Sequence, residues 1–368
     1  MTDTIKDTEG APKGATDDGT ETRDARGEWV PRVLGKAQPF VWPFEPKKLL
    51  RFVLGFPGFL WPLGAAAYYG LAALTWRYLQ PGADNLSNFS QLNIDWILPM
   101  YVRNVTMLVL VVGALHVILY RRRVQGTRFK YNARWPSSGK TFLFNDQVKD
   151  NAFWSIASGV TVWTLYEVLM LWAYGNGWAP AITLQSNPVL FIGLAAFLPF
   201  WQDLHFYAIH RISHWKPLYK AAHYLHHKNT NVGPWSGLSM HPIEHILYFT
   251  RWIIFFIVPS HPIHMLYVMQ RPAINPSIGH TGFDQVVWNK ETDRAMSIDS
   301  FFHYLHHRHF ECNYGTPTVP LDRWFGSLHD GTPESYERMR QKGRIPAETD
   351  ASAQSLQENA DRTTPVEV

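Results

Sequence analysis

The chain has 368 residues, with 34 Lys+Arg against 30 Asp+Glu, and is 46% apolar, 15% aromatic and 17% charged. Low charge and heavy aromatic content argue against a largely disordered chain and against one that tracks nucleic acid, so no nucleic-acid partner is expected. The single cysteine, Cys312, excludes a disulfide framework, a cysteine-based zinc site and an iron–sulfur cluster.

Residues 1–28 carry eight acids against four bases, and 331–368 carry seven against five, which leaves +10 for the stretch between them. Both ends are polar and aperiodic. The expectation is a disordered tail over 1–40 and a polar tail over 331–368. The first residues, Met1-Thr2-Asp3-Thr4, resemble neither a secretory signal nor a transit peptide.

Four stretches are long and apolar enough to cross a bilayer: 52–76, 96–120, 152–174 and 188–204. The first two, with the basic loop after them, make up 41–150. That loop, with Arg121, Arg122, Arg123, Arg128, Lys130, Arg134, Lys140 and Lys149, places its side in the cytoplasm, whereas the loop 175–187 has no charge. Both termini and everything after span four are then cytoplasmic. A fifth apolar stretch, 246–269, is broken by Pro259-Ser260-His261-Pro262. Histidine clusters flank it on both sides, so it must leave and return on one face, as a re-entrant hairpin or as two short spans.

Of 17 histidines, 15 lie between His205 and His309. They form four clusters: His210 and His214; His223, His226 and His227; His241 and His245; and His303, His306 and His307. Residues three and four apart share a helix face, so each cluster aims its imidazoles at one point. Neutral imidazole suits iron, zinc, copper and nickel. Ten such rings exceed what one ion uses, which points to two metals. Asp203, Glu167 and Glu244 are candidate acceptors that orient the rings, and Glu167 has the further reading of a contact inside the bundle. Isolated His116 and His329 read as packing or hydrogen-bonding residues, His261 and His264 flank the hairpin turn and are not expected as ligands, and His309 reads as a surface residue.

The pattern His210-x3-His214, His223-x2-His226-His227 and His303-x2-His306-His307 on a multi-span chain resembles the fatty acid hydroxylase/sterol desaturase superfamily. Asp203, His241-Pro242, Gly279-His280-Thr281-Gly282, Asn313-Tyr314-Gly315 and Asp322-Arg323-Trp324-Phe325-Gly326 extend the likeness over 188–330. The resemblance implies a catalytic domain over 151–330 and a non-haem centre of two Fe ions that uses O2 to attack an unactivated C–H bond of a lipid. Carried over by position, the metal ligands are His210, His214, His223, His226, His227, His241, His280, His303, His306 and His307, with His245 as a substitute for His241 or His280.

The expected fold is an all-α integral membrane protein, a four-helix transmembrane bundle with a re-entrant hairpin and a cytoplasmic helical cap carrying a histidine-rich dimetal site. The expected function is hydroxylation or desaturation of a sterol or fatty acyl lipid. No dinucleotide-binding glycine pattern and no haem-attachment cysteine pair is present. The electrons are therefore expected from a separate donor, such as a ferredoxin or a cytochrome b5-like protein. Two other classes are compatible with parts of the sequence: a zinc-dependent membrane hydrolase built on His241-Pro-Ile-Glu244-His245, and a metal-binding transporter with ligands along a membrane path.

Overall fold

The structure is a computed structural model and describes residues 28, 29, 31, 44–54 and 64–343, with 290, 293, 299 and 317 excepted. Most of the expected tail 1–40, and part of the expected span 52–76, lie outside the described residues. The helices are α1 (Pro46–Leu54), α2 (Ala65–Leu74), α3 (Ile94–His116), α4 (Gln147–Trp154), α5 (Thr161–Gly175), α6 (Pro188–Ser213), α7 (Lys216–Leu218), α8 (Tyr224–His227), α9 (Pro242–Tyr248), α10 (Pro262–Gly279), α11 (Phe301–His309), α12 (Leu321–Trp324) and α13 (Pro333–Gln341). The protein is mostly helical, but the all-α expectation needs one correction. Strands β1 (Gln285–Asn289) and β2 (Arg294–Ser297) pair antiparallel, with a register shift between Val287 and Asn289.

Among the described residues, three continuous helical rods are long and apolar enough to cross a membrane: Ile94–Arg121, Gln147–Gly175 and Pro188–Ser213. The first extends α3 through a π-helical turn, Val117–Arg121, and the second joins α4 to α5 through another, Ser155–Val160. Caps set their starts. Asn93, Asp146 and Asn187 accept backbone N–H groups one turn ahead with their side chains. Their outer faces carry bare apolar side chains, with Leu110, Val189 and Ile192 each more than 60% exposed. A lipid-facing surface has that character.

The main core lies between α2, α3, α5, α6 and α10, where Met100, Trp163, Leu198, Leu266 and Met269 are buried together. Prolines within these helices free carbonyls that water cannot reach, and tyrosines cover them. Pro199 cannot bond Ala195, whose oxygen instead accepts the Tyr69 hydroxyl at 2.7 Å. Pro276 cannot bond Pro272, whose oxygen accepts the Tyr248 hydroxyl at 2.9 Å.

The broken apolar stretch runs down α9 and the 3-10 turn Thr250–Phe256, reverses near Ser260, and returns along α10. Its turn reaches the loop between α5 and α6. Ser260 donates to the Pro180 carbonyl and accepts from Ile182 N–H, and its hydroxyl lies 2.6 Å from that of Tyr174. At the N-terminal side, Trp29 donates to the Tyr131 carbonyl and is buried, and Glu28 pairs with Arg308 at 2.8 Å.

Candidate metal centre

The C-terminal ends of α6 and α10 meet α8 and α11 at one place, and nine imidazoles converge there in two groups. The first contains His210, His214, His223, His227 and His306, and the second His226, His280, His303 and His307. Within each group one nitrogen of every ring lies within 4.8 Å of all the others.

Local structure aims the rings. His210 lies one turn before the end of α6 and His214 caps that helix, with its N–H bonded to the His210 carbonyl. A π-helical turn over Tyr219–His223 precedes α8 and rotates His223 toward His214. Such turns insert one residue into the helical register and so re-aim a side chain. His280 caps α10. The doublets split: of His226 and His227, adjacent in sequence, one goes to each group, and so it is with His306 and His307.

Proton placement follows from the partners. A carbonyl oxygen only accepts, so an imidazole nitrogen beside it must be the N–H. His210 Nδ1 donates to Tyr314 O at 2.6 Å, His306 Nδ1 to Cys312 O at 2.6 Å, His280 Nδ1 to Pro276 O at 2.7 Å and His226 Nδ1 to Ser239 O at 3.3 Å. His223 Nδ1 faces Glu244 Oε1 at 2.7 Å. In each neutral ring the Nε2 lone pair is left bare and points inward.

These lone pairs face one another. In the first group His214 Nε2 lies 3.0, 3.2 and 3.3 Å from Nε2 of His223, His227 and His306, and His227 and His306 are 3.0 Å apart. In the second, His280 Nε2 lies 3.0 Å from both His303 and His307, which are 3.2 Å apart. One proton on a hub ring satisfies only one neighbour. A shared cation satisfies all of them, and imidazole nitrogens about 2.0–2.1 Å from one ion sit about 3.0–3.4 Å from each other. The observed spacings fall in that interval, so these residues fit a pair of transition ions.

Burial keeps the rings neutral, as ligands must be. Burial first, then neighbouring imidazoles, pushes His226, His227, His303, His306 and His307 well below the usual histidine range. Burial lowers His280 to about 4 against the pull of the Pro276 carbonyl.

His241 is the exception among the ten expected ligands. It belongs to neither group, because its Nδ1 accepts the Ile243 N–H at 3.2 Å as the N-cap of α9. His245 does not replace it: its Nδ1 pairs with Ser158 Oγ at 2.8 Å, and it is fully buried beside Gly159. Of the three carboxylates weighed as ring acceptors, only Glu244 reaches an imidazole. Glu167 pairs with Arg103 inside the bundle and accepts from Trp163 Nε1 at 2.7 Å. Asp203 lies 4.0 Å from Arg271. His116 stacks on Tyr120, His264 bonds the Phe191 carbonyl and His329 stacks on His309, all away from the groups.

Asp322 supports this shell from a distance. Its carboxylate accepts Tyr314 N–H at 2.9 Å, Gly315 N–H at 2.7 Å and the Ser327 hydroxyl at 2.7 Å. Asn313, at a positive φ of 52°, exchanges two 2.7 Å hydrogen bonds with the His329 backbone. Together they hold the loop whose carbonyl anchors His210. No spacing rule singles out the backbone acceptors. The Asn-Tyr-Gly and Asp-Arg-Trp-Phe-Gly strings were the available signal.

Residues 195–327 match the fatty acid hydroxylase family model. Over that stretch, about a third of the chain, it is similar to the fatty acid hydroxylase/sterol desaturase superfamily. Among curated proteins it is similar to a Delta(7)-sterol-C5(6)-desaturase of Nicotiana tabacum, 24% identical over 45% of this chain and 60% of the relative. It is also similar to a Delta(7)-sterol 5(6)-desaturase of Gibberella zeae, 27% identical over 36% of this chain and 41% of the relative. A third is the lathosterol oxidase of Rattus norvegicus, 28% identical over 50% of this chain and 58% of the relative. The chain thus spans three fifths or less of the length of these superfamily relatives. No solved structure matches it. All nine converging histidines lie inside helices or at their caps, and all nine fall within the matched residues.

Proposed function

We propose that this protein is a membrane-bound oxidoreductase that hydroxylates or desaturates a lipid, with a sterol-type substrate favoured by the names of its relatives. The observation that carries the reading is the inward convergence of nine imidazoles, seven of them buried and two half-buried, in two adjoining groups. Two iron ions held there would supply the activation of O2 and the removal of hydrogen from an unactivated C–H bond.

The protein's own residues supply the rest. The carbonyls of Tyr314, Cys312, Pro276 and Ser239 keep the protons on Nδ1, and Glu244 orients His223. The buried setting excludes water. Electrons come from a separate carrier, a ferredoxin or a cytochrome b5-like protein. The basic loop 121–149 argues for a cytoplasmic site and cytoplasmic termini, and the stretch 246–269 serves as a re-entrant hairpin or as two short spans beside it.

The rival classes find no support in side-chain placement. Glu244 of the His-x-x-Glu-His string is engaged with His223, and both flanking histidines lie outside the groups. The groups lie at helix ends and not along a path between the spans, which is not what transport requires. The test is a mass comparison of lipid extracts from cells expressing the wild type and His306→Ala. A wild-type-only gain of one oxygen reports hydroxylation and a loss of two hydrogens reports desaturation. Identical extracts with a metal-loaded wild type overturn the proposal.

A further inference from the structure

Two helical turns before His210, α6 presents Gln202 and Asp203 to the middle of α10. Both are buried, as is Tyr267, yet the polar groups of Asp203 and Tyr267 are incompletely used. Among the described residues, Arg271 Nε and the Tyr267 hydroxyl have no hydrogen-bond partner, and Asp203 Oδ2 has none at ordinary hydrogen-bond distance, with the hydroxyls of Thr316 and Thr318 facing its carboxylate. Arg271 Nη1 donates to Gln202 Oε1 at 2.7 Å but stays 4.0 Å from Asp203 Oδ1, too far for a direct hydrogen bond. Its side chain remains 22% exposed although its neighbours Gln270 and Pro272 are buried, so the guanidinium borders a gap in the packing. The second guanidinium, Arg251, is already spent on the Tyr248 carbonyl at 2.9 and 3.2 Å.

An unused acceptor, an unused charged donor and an unused hydroxyl in one buried place define a ligand chemistry. Leaving such groups unpaired costs about 1–3 kcal/mol each. A carboxylate or phosphate would answer Arg271 but meet the like charge of Asp203. A hydrocarbon would answer neither. A hydroxyl donates to Asp203 and accepts from Arg271 or Tyr267, and so completes the set. The position gives the group a purpose. Seven residues separate Asp203 from His210, about 10 Å along the helix, and Phe206 lies between, its ring 5.0 Å from His210 and 6.1 Å from Tyr248.

We propose that Asp203, Arg271 and Tyr267 bind the hydroxyl of a lipid alcohol and thereby choose which carbon meets the metal centre. This rests on the lipid-oxidising reading above and narrows it. The reacting carbon lies within roughly 10 Å of the hydroxyl, in the oxygen-bearing ring system of a sterol or the near end of an acyl alcohol, not in a distant tail.

The test is equilibrium binding to the full-length, metal-loaded protein in nanodiscs, without oxygen so that nothing turns over. The probes are lathosterol, 1-hexadecanol, the acetate ester of each, and palmitate. At least one free alcohol should bind about tenfold or more tighter than its own ester. Tyr267→Phe, which removes one oxygen atom, should weaken that alcohol severalfold, and Asp203→Asn should erase the preference over the ester. Equal binding of alcohol and ester for both pairs overturns the assignment, and so does tighter binding of palmitate. An alcohol affinity unchanged in Tyr267→Phe and Arg271→Lys does so too, since the gap then holds a structural water only. Alcohol binding that passes these checks in a protein that oxidises no lipid would instead sink the oxygenase reading and leave the pocket assigned.

Discussion

Nδ1 of His210 lies 2.6 Å from the carbonyl oxygen of Tyr314, 104 residues further along the chain. That carbonyl is placed by Asp322, which holds the amides of Tyr314 and Gly315. Asp322 touches no imidazole, yet it determines where one points. Asp322→Ala should therefore lower metal affinity about 10–100-fold, the range for lost outer partners of ligands. Metal content after dialysis against a graded chelator checks this. Retention equal to wild type would show that the loop holds itself.

Gly237 makes the closest approach to α10. A Cβ there would sit 2.5 Å from the Pro276 carbonyl carbon and from Ser277 N, both backbone atoms. The displaced carbonyl is the one that His280 uses. Gly237→Ala should cost about 1–3 kcal/mol of stability by overpacking and lower bound metal toward one ion per chain. Thermal denaturation and elemental analysis measure the two effects.

His306→Ala removes a ring from the first group, whereas His241→Ala removes a helix cap. The first should abolish activity and reduce bound metal while the protein stays membrane-inserted. The second should keep its metal and lose about 0.5–2 kcal/mol of stability. Equal metal loss in the two variants would return His241 to the ligand set.

Tyr69→Phe leaves the Ala195 carbonyl, freed by Pro199, without its partner. A cost of about 1–3 kcal/mol is expected, read as a lower melting temperature with metal content unchanged. The stacking of Tyr69 on Tyr267, 3.8 Å between ring centroids, survives the change.

Burial lowers His329 to about 4, with Asp330 raising it slightly and Arg338 opposing. It is neutral in the fold at pH 7, and the unfolded chain takes up its proton near pH 6.5. Its contribution to stability is thus full above pH 6.5 and is lost as pH falls toward 4. His329→Gln should flatten the fall in melting temperature over that window. An unchanged slope would place the acid sensitivity elsewhere.

The long helices and the histidine triplets were legible because both are periodic. An apolar run of spanning length and three rings on one helical face each carry their own geometry. His241 was not separable from the ligands, since a cap and a ligand look alike in His-Pro-x-x-His. The acceptors behind the rings are mostly backbone oxygens of Tyr314, Cys312, Pro276 and Ser239, atoms that every residue owns. Glu167 and Asp203 read as ring partners because a buried carboxylate needs a countercharge, and their sequence neighbours do not reveal that Arg103 pairs with Glu167 and that Arg271 lies nearest in charge to Asp203, at 4.0 Å. The short hairpin β1–β2 has too few alternating residues to stand out from a loop.

Each histidine doublet divides between the two groups, so if each group holds an ion, a single peptide link would tie one ion's ligand to the other's in two separate places. The spacing between two such ions would then be set by covalent bonds more than by soft packing. Seating the first ion draws the rings of the second into position, so occupancy should rise in one steep step. A half-filled enzyme should be scarce at any metal supply.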